Sequence, residues 1–213
     1  MKNIIIVLTI GIIILMLNIL LGSPAPVESD YYDSLLDTSA DPVQTATETG
    51  PFYVRVKHGT MKLTPKAAYS ATARVAHKKK YSFGWNAALA PYDLALSWGK
   101  LNHDSVMPHV RYRQSGRWYF FKFDALCPVS GAYISAHSSN NHIMHASDNI
   151  LRVLKKVRAG DFLRLDGYLV FADGFIRGDE VHWHSSLNRK DTGDGACEVF
   201  YVNRIWYDGK IYE

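Results

Sequence analysis

The chain has 213 residues, 47% of them hydrophobic and 21% charged, with a formal net charge of +4. Two cysteines are too few for a disulfide framework or a zinc ribbon, and no internal repeat divides the chain. The length suits one globular domain plus shorter flanking segments.

The apolar residues are concentrated at the start. Residues 3–21 read NIIIVLTIGIIILMLNILL and carry no charge. A helix rises about 1.5 Å per residue, so this run nearly crosses a hydrocarbon core of about 30 Å. Lys2 precedes the run and acidic residues follow it, which predicts an N-terminus in the cytoplasm and the rest of the chain across the membrane. A cleaved signal peptide is the rival reading, because Ser23-Pro24-Ala25 offers small residues at a cleavage position. The run is longer than the usual h-region of about 7–15 residues, and Pro26 would follow the cut. Residues 1–21 are therefore expected to be an uncleaved, single-pass transmembrane anchor of the inner membrane. The bilayer contact is expected through residues 4–21, with the remainder in the periplasm or outside.

Residues 22–50 read as an acidic, flexible tether. Glu28, Asp30, Asp33, Asp37, Asp41 and Glu48 stand there without a single Lys or Arg. Such a stretch buries too little apolar surface to offset its ordering entropy, although Tyr31-Tyr32 and Leu35-Leu36 could dock as a short helix. Residues 51–213 are expected to form one extracytoplasmic domain. With Lys2 and the six tether acids set aside, 23 Lys and Arg face 14 Asp and Glu, about +9. That charge fits lipid headgroups, an anionic envelope polymer, another envelope protein, or simple solubility. Nucleic acid is the least expected partner. Lys78-Lys79-Lys80 reads as a solvated loop or edge strand.

Along the domain, Val54 and Val56 alternate with Arg55 and Lys57, a strand pattern. Tyr69, Ala71, Ala73 and Val75 give a second. AALAPYDLALSW, Ala87 to Trp98, predicts a short helix with Pro91 near its start and Gly99 past its end. Ser115-Gly116 predicts a hairpin turn between Val110–Arg113 and Arg117–Phe123. Asp148–Arg158 predicts the main helix. Ser147 caps it, Ile150, Leu151, Leu154 and Val157 form its apolar stripe, and Gly160 follows its end. Leu163, Leu165, Leu169 and Phe171 mark a strong strand, and Val181–Ser185 and Cys197–Trp206 mark two more. Many strands around one main helix predict an α+β domain, built on a small barrel or strongly curled antiparallel sheet, OB-like or sortase-like.

Three longer blocks stand out: HSSNNHIMHAS at His137–Ser147, GYLV at Gly167–Val170, and SSLNRKDTGDGACE at Ser185–Glu198. With YDLALSWG at Tyr92–Gly99 and QSGRWYFF at Gln114–Phe121, they resemble a family of uncharacterised bacterial proteins with an N-terminal membrane segment. The resemblance covers roughly residues 85–206. It implies no activity, so no catalytic residues carry over.

The residues themselves offer several chemistries. The leading expectation is non-enzymatic: a binding or assembly module of the bacterial envelope, with no cofactor. Its binding surface is expected at His137, Asn140 and His145 together with Asn188, Arg189, Asp191 and Asp194. The alternative is a thiol enzyme with Cys197 as nucleophile, His142 as base and Arg204 as oxyanion stabiliser. Anchor, tether, then His, Cys and Arg is similar to the layout of sortases, although GDGAC stands here in place of their TLxTC motif. On one strand, residues seven apart face opposite ways, so Cys197 and Arg204 meet only across a bulge; otherwise Arg164 or Arg189 must serve. A third reading is a metal site using His182 and His184, two apart on one strand face. Asp191, Asp194 and Glu198 lack EF-hand spacing and read better as turn formers. Arg111, Tyr112, Arg113, Arg117, Trp118, Tyr119, Phe120 and Lys122 mix base and aromatic, and in an OB-like barrel such a face could stack bases or sugars. Cys127 and Cys197 could form one disulfide outside the cytoplasm.

Overall fold

A computed structural model describes Met16 and residues 22–29, 36–188 and 197–213. The described residues are mostly β-sheet, with three short α-helices among the elements between Glu28 and Tyr212. Its strands are β1 (Glu28–Ser29), β2 (Val43–Thr45), β3 (Phe52–Val56), β4 (Gly59–Lys80), β5 (Tyr92–Ser97), β6 (Val110–Ser115) and β7 (Trp118–Phe123), followed by β8 (Ser138–His145), β9 (Phe162–Ile176), β10 (Asp179–His184), β11 (Glu198–Tyr207) and β12 (Lys210–Tyr212). The helices are α1 (Trp85–Leu89), α2 (Gly131–Ala136) and α3 (Asp148–Lys156). Among the described residues no helix is long and apolar enough to cross a membrane, and the expected anchor lies outside them apart from Met16.

The sheet is strongly curled. β4 pairs with β5, β5 with β8, β8 with β11, β11 with β9, and β9 with β4, so the pairings return to their start. All are antiparallel except β8 with β11, which makes the sheet mixed rather than wholly antiparallel. β6 and β7 form a separate hairpin. Its turn places Gly116 and Arg117 at φ 58° and 72°, the paired positive values that a two-residue hairpin turn needs.

Two cores lie on opposite faces of this sheet. Leu163, Leu165 and Leu169 of β9 join Leu94, Leu96, Ile143, Phe200 and Val202 on the inner face. Val170 and Ala172, pointing the other way, join Met61, Leu63, Met144 and Val199 on the outer face. β4 serves both with residues of one parity, because a bulge between Pro65 and Ala67 rotates the strand and carries its buried side from one face to the other. α3 packs against β11, β8 and β12 and inserts Ile150, Val153 and Leu154 into the inner core. Ser147 Oγ accepts from Ile150 N–H at its N-terminus, as expected. Its C-terminus differs: Val157, not a glycine turn, is the cap, and Lys78 Nζ donates to the carbonyls of Leu154 and Val157.

The helix expected over 87–98 is a correction. α1 ends at Leu89, and Tyr92–Ser97 is the strand β5. All six residues of β5 are buried, so it shows none of the alternation that identifies a half-exposed strand. β8 escaped notice for a related reason, since SSNN looks like loop sequence yet is buried throughout.

Residues 36–45 of the expected tether lie along the domain. Trp98 Nε1 donates to Asp41 Oδ1 at 2.7 Å, Gly99 N–H donates to the Thr38 carbonyl, and β2 pairs with β4. Trp98 is fully buried, so an unpaired indole N–H there would be costly. The one disulfide expected between Cys127 and Cys197 is not formed.

Candidate functional site

The outer face of β5 and β8 is unusually polar for a buried surface. On β8 the even positions Asn140 and His142 point outward, opposite Ala95 and Asp93 of β5. Asp93 is wholly buried, and His142 and Asn140 nearly so. The direct cross-strand position brings His142 Nδ1 to 3.0 Å from Asp93 Oδ1. The ring is turned out of hydrogen-bond alignment, so this is an ion-pair distance rather than a formed bond.

A buried carboxylate needs a counter-charge. Arg117 supplies it from the β6–β7 turn, with Nη1 2.5 Å from Asp93 Oδ1 and 3.0 Å from the Ala90 carbonyl. The turn is itself clamped. Arg117 N–H donates to Tyr81 Oη, and the Arg117 carbonyl accepts from Asn140 Nδ2 at 2.8 Å. The guanidinium lies over the Tyr81 ring at 3.9 Å and faces Trp183 at 5.2 Å. Burial pushes the Tyr81 phenol above its usual range, so it stays neutral. Gln114 extends the network: its Nε2 donates to Asn140 Oδ1 at 2.6 Å, and its Oε1 pairs with His77 Nδ1 at 2.9 Å.

A cleft of about 370 Å³ opens above this layer, lined by Arg117, Trp118, His142, His182, Trp183, His184 and Cys197. Cys197 directly precedes β11, the parallel neighbour of β8. Its sulfur accepts from Asn140 Nδ2 at 3.5 Å and lies 3.9 Å from the Arg117 carbonyl. Trp183 packs on His142 at 4.7 Å between centroids and meets Trp85 edge-on. Beneath the cleft, Asp93 Oδ2, Arg117 Nη2 and His142 Nδ1 are buried with no hydrogen-bond partner among the described residues.

At the mouth, β10 pairs with β9 so that His182 stands opposite Asp173. Asp173 Oδ1 lies 2.7 Å from His182 Nδ1 and 2.7 Å from His184 Nε2. Burial alone would raise the Asp173 carboxyl, but these two hydrogen bonds outweigh it and hold the group below its usual range. The bond to Asp173 in turn raises His182.

The structure brings together His142, Asn140, Cys197, His182 and His184. It does not bring His137, His145 or Arg204 to them. His137 stacks on Tyr133 at 3.7 Å at one end of β8, and His145 sits at the other beside Val54, Leu89 and Tyr201. Eight residues of strand separate these two, about 26 Å. Arg204 Nε donates to Glu213 at 2.6 Å and its guanidinium lies over Trp206, away from the cleft. The register does shift between Val202 and Arg204, yet this does not turn Arg204 towards Cys197. Asn188 N–H donates to Ser186 Oγ, and Arg189, Asp191 and Asp194 lie outside the described residues.

Sequence reasoning missed Asp93, Gln114, Trp183 and Asp173. Only Asp93 left a signal: a lone acid within the apolar run YDLALS. No protein-family model, curated protein or solved structure matches the chain.

Proposed function

We propose that the chain is a membrane-anchored, extracytoplasmic binding module of the bacterial envelope, built on an OB-like barrel, with its ligand seated in the Arg117–Cys197 cleft. The connectivity supports the barrel. Around the closed circuit the strands β4, β5, β8, β9 and β11 fall in the order one, two, three, five, four, the third and fifth are parallel, and α3 lies between the third and fourth. OB-folds bind oligonucleotides and oligosaccharides on the face of the second and third strands and at their flanking loops. The cleft occupies that face here, between the β6–β7 hairpin and β10.

The observation that carries the reading is the cleft lined by Arg117 and His142 together with Trp118 and Trp183, which offers a ligand a cation, an imidazole and two aromatic faces above the buried Asp93–Arg117 pair. Beside it the hairpin's outer face pairs Arg111 with Lys122, Arg113 with Phe120, and Ser115 with Trp118. Phe120 and Trp118 are exposed, and Arg113 lies 5.4 Å over the Phe120 ring. Cations interleaved with aromatic faces suit an anionic sugar polymer. The test is fluorescence anisotropy of the full-length chain in detergent with a labelled sulfated oligosaccharide and its neutral counterpart. The expected result is salt-sensitive binding of the anionic probe. Arg113→Ser and Trp118→Ala should each weaken it roughly tenfold, about 1.4 kcal/mol. Equal binding of both probes, or unchanged affinity in both variants, would sink the reading.

One observation favours a second reading, a thiol enzyme. Cys197 and His142 line the same cleft, and Asp93 stands behind His142 as an orienting carboxylate would. Alkylation of the native protein across pH 4–9 tests it. Labelling of Cys197 with a midpoint well below the free value of about 8.5 supports a catalytic thiolate. Reactivity only after denaturation makes Cys197 structural. Arg204 has no part in this reading, which weakens the likeness to sortases.

A further inference from the structure

We propose that Asp173, His182 and His184 form a binding site for a divalent first-row transition ion, with Zn²⁺ as the reference, at the mouth of the cleft. The inference goes beyond the binding function above and stands without it. Asp173 Oδ1, His182 Nδ1 and His184 Nε2 all lie within 4.8 Å of one another. The three come from two strands in fixed register, His182 directly opposite Asp173 and His184 opposite Phe171. Residues two apart on a strand share a face, which is why both imidazoles reach one carboxylate.

Two further contacts orient the ligands. Phe171 stacks on His184, 4.2 Å between centroids and 10° from parallel, which fixes the plane of that ring. His182 turns Nδ1 to Asp173, while its other nitrogen, Nε2, lies 3.6 Å from Glu180 Oε1. A carboxylate on the far nitrogen of a ligating histidine is the usual outer support of a metal site, because it selects the tautomer and strengthens the ligand. Two acids beside the ion also offset its charge.

Two imidazoles and one carboxylate suit Zn²⁺, Co²⁺, Ni²⁺ or Cu²⁺ better than Ca²⁺ or Mg²⁺, which prefer oxygen alone. Three protein ligands leave a fourth position open to water or a ligand atom. His182 and His184 both line the cleft, so that position is accessible from it.

The test is isothermal titration of the metal-stripped, full-length chain in detergent with ZnCl₂, followed by Co²⁺ absorption spectroscopy. The expected result is one Zn²⁺ per chain. Affinity should fall at least tenfold in Asp173→Asn and at least a hundredfold in the double variant His182→Gln/His184→Gln. All three side chains are at least a third exposed, so the variants should fold. His103→Gln, at an exposed histidine elsewhere, should bind as the parent does. Visible Co²⁺ bands should vanish with the double variant. No stoichiometric binding, or undiminished binding in the double variant, overturns the site.

Discussion

Asp93 has no solvent exposure, and its partner Arg117 retains only 14% of its side-chain exposure. A buried pair of this kind adds little net stability over an apolar pair of equal volume, but removing one member strands the other. Arg117→Met should therefore destabilise the fold by about 3–5 kcal/mol in chemical denaturation, and adding Asp93→Leu should restore most of the loss. Equal stability of the single and double variants would mean that Asp93 is compensated elsewhere. His145 supplies the pH prediction. Burial holds its imidazole below the usual range, only partly opposed by the Asp148 carboxylate. As pH falls, the unfolded chain takes up that proton first, near its ordinary value of about 6.5. The contribution of His145 is thus fully present above that value and is lost as pH drops towards its folded pKa. His145→Gln should lose less melting temperature than the parent between pH 7.5 and 5, and parallel losses would count against the argument.

At the scale of elements, the Lys78-Lys79-Lys80 run is not a uniform solvated edge. Lys78 reaches the last carbonyls of α3, while Lys79 and Lys80 are exposed. The carbonyls at a helix end lack intrahelical partners, and a cation there also meets the negative end of the dipole. Lys78→Met should cost about 1–3 kcal/mol by denaturation and Lys80→Met almost nothing; similar small effects would show that water caps α3 equally well. Gly167 is the other element-scale constraint. It lies opposite Val202 in the β9–β11 pairing, and a Cβ there would collide with the Tyr201 backbone carbonyl. Gly167→Ala should lower the thermal midpoint by several degrees, because the strand that closes the circuit must move aside. An unchanged midpoint would show that the β9–β11 seam yields without cost. β6–β7, α3, β9, β10 and β11 were legible because their alternation or helical spacing survives in half-buried elements. β5 and β8 were not, since burial on both faces erases the period.

At the scale of the whole molecule, β4 and β9 pair from Gly59–Ile176 to Arg74–Phe162, so most of the chain must be made before the central seam can close. Such non-local pairing is slow because loop-closure entropy is spent before contacts reward it. Refolding followed by Trp fluorescence should take milliseconds to seconds, and completion in microseconds would contradict a late-closing circuit. The candidate site follows the same logic. Cys197, His142, His182 and His184 were visible as residues, because thiols and imidazoles are chemically conspicuous in any sequence. Their partners Asp93, Asp173 and Trp183 were not, since each reaches the site through strand register that no local pattern encodes, and Arg117 was visible only as one cation of the hairpin face. The sequence by itself determined the acidic segment after an apolar start, the basic domain, the main helix and its cap, and the hairpin, all of which depend on neighbours along the chain. Only the tertiary structure decided that β8 lies parallel to β11, that a bulge moves β4 between two cores, and which charges meet beneath the cleft. Those outcomes depend on contacts between distant segments, whose energies exist only once the sheet has curled.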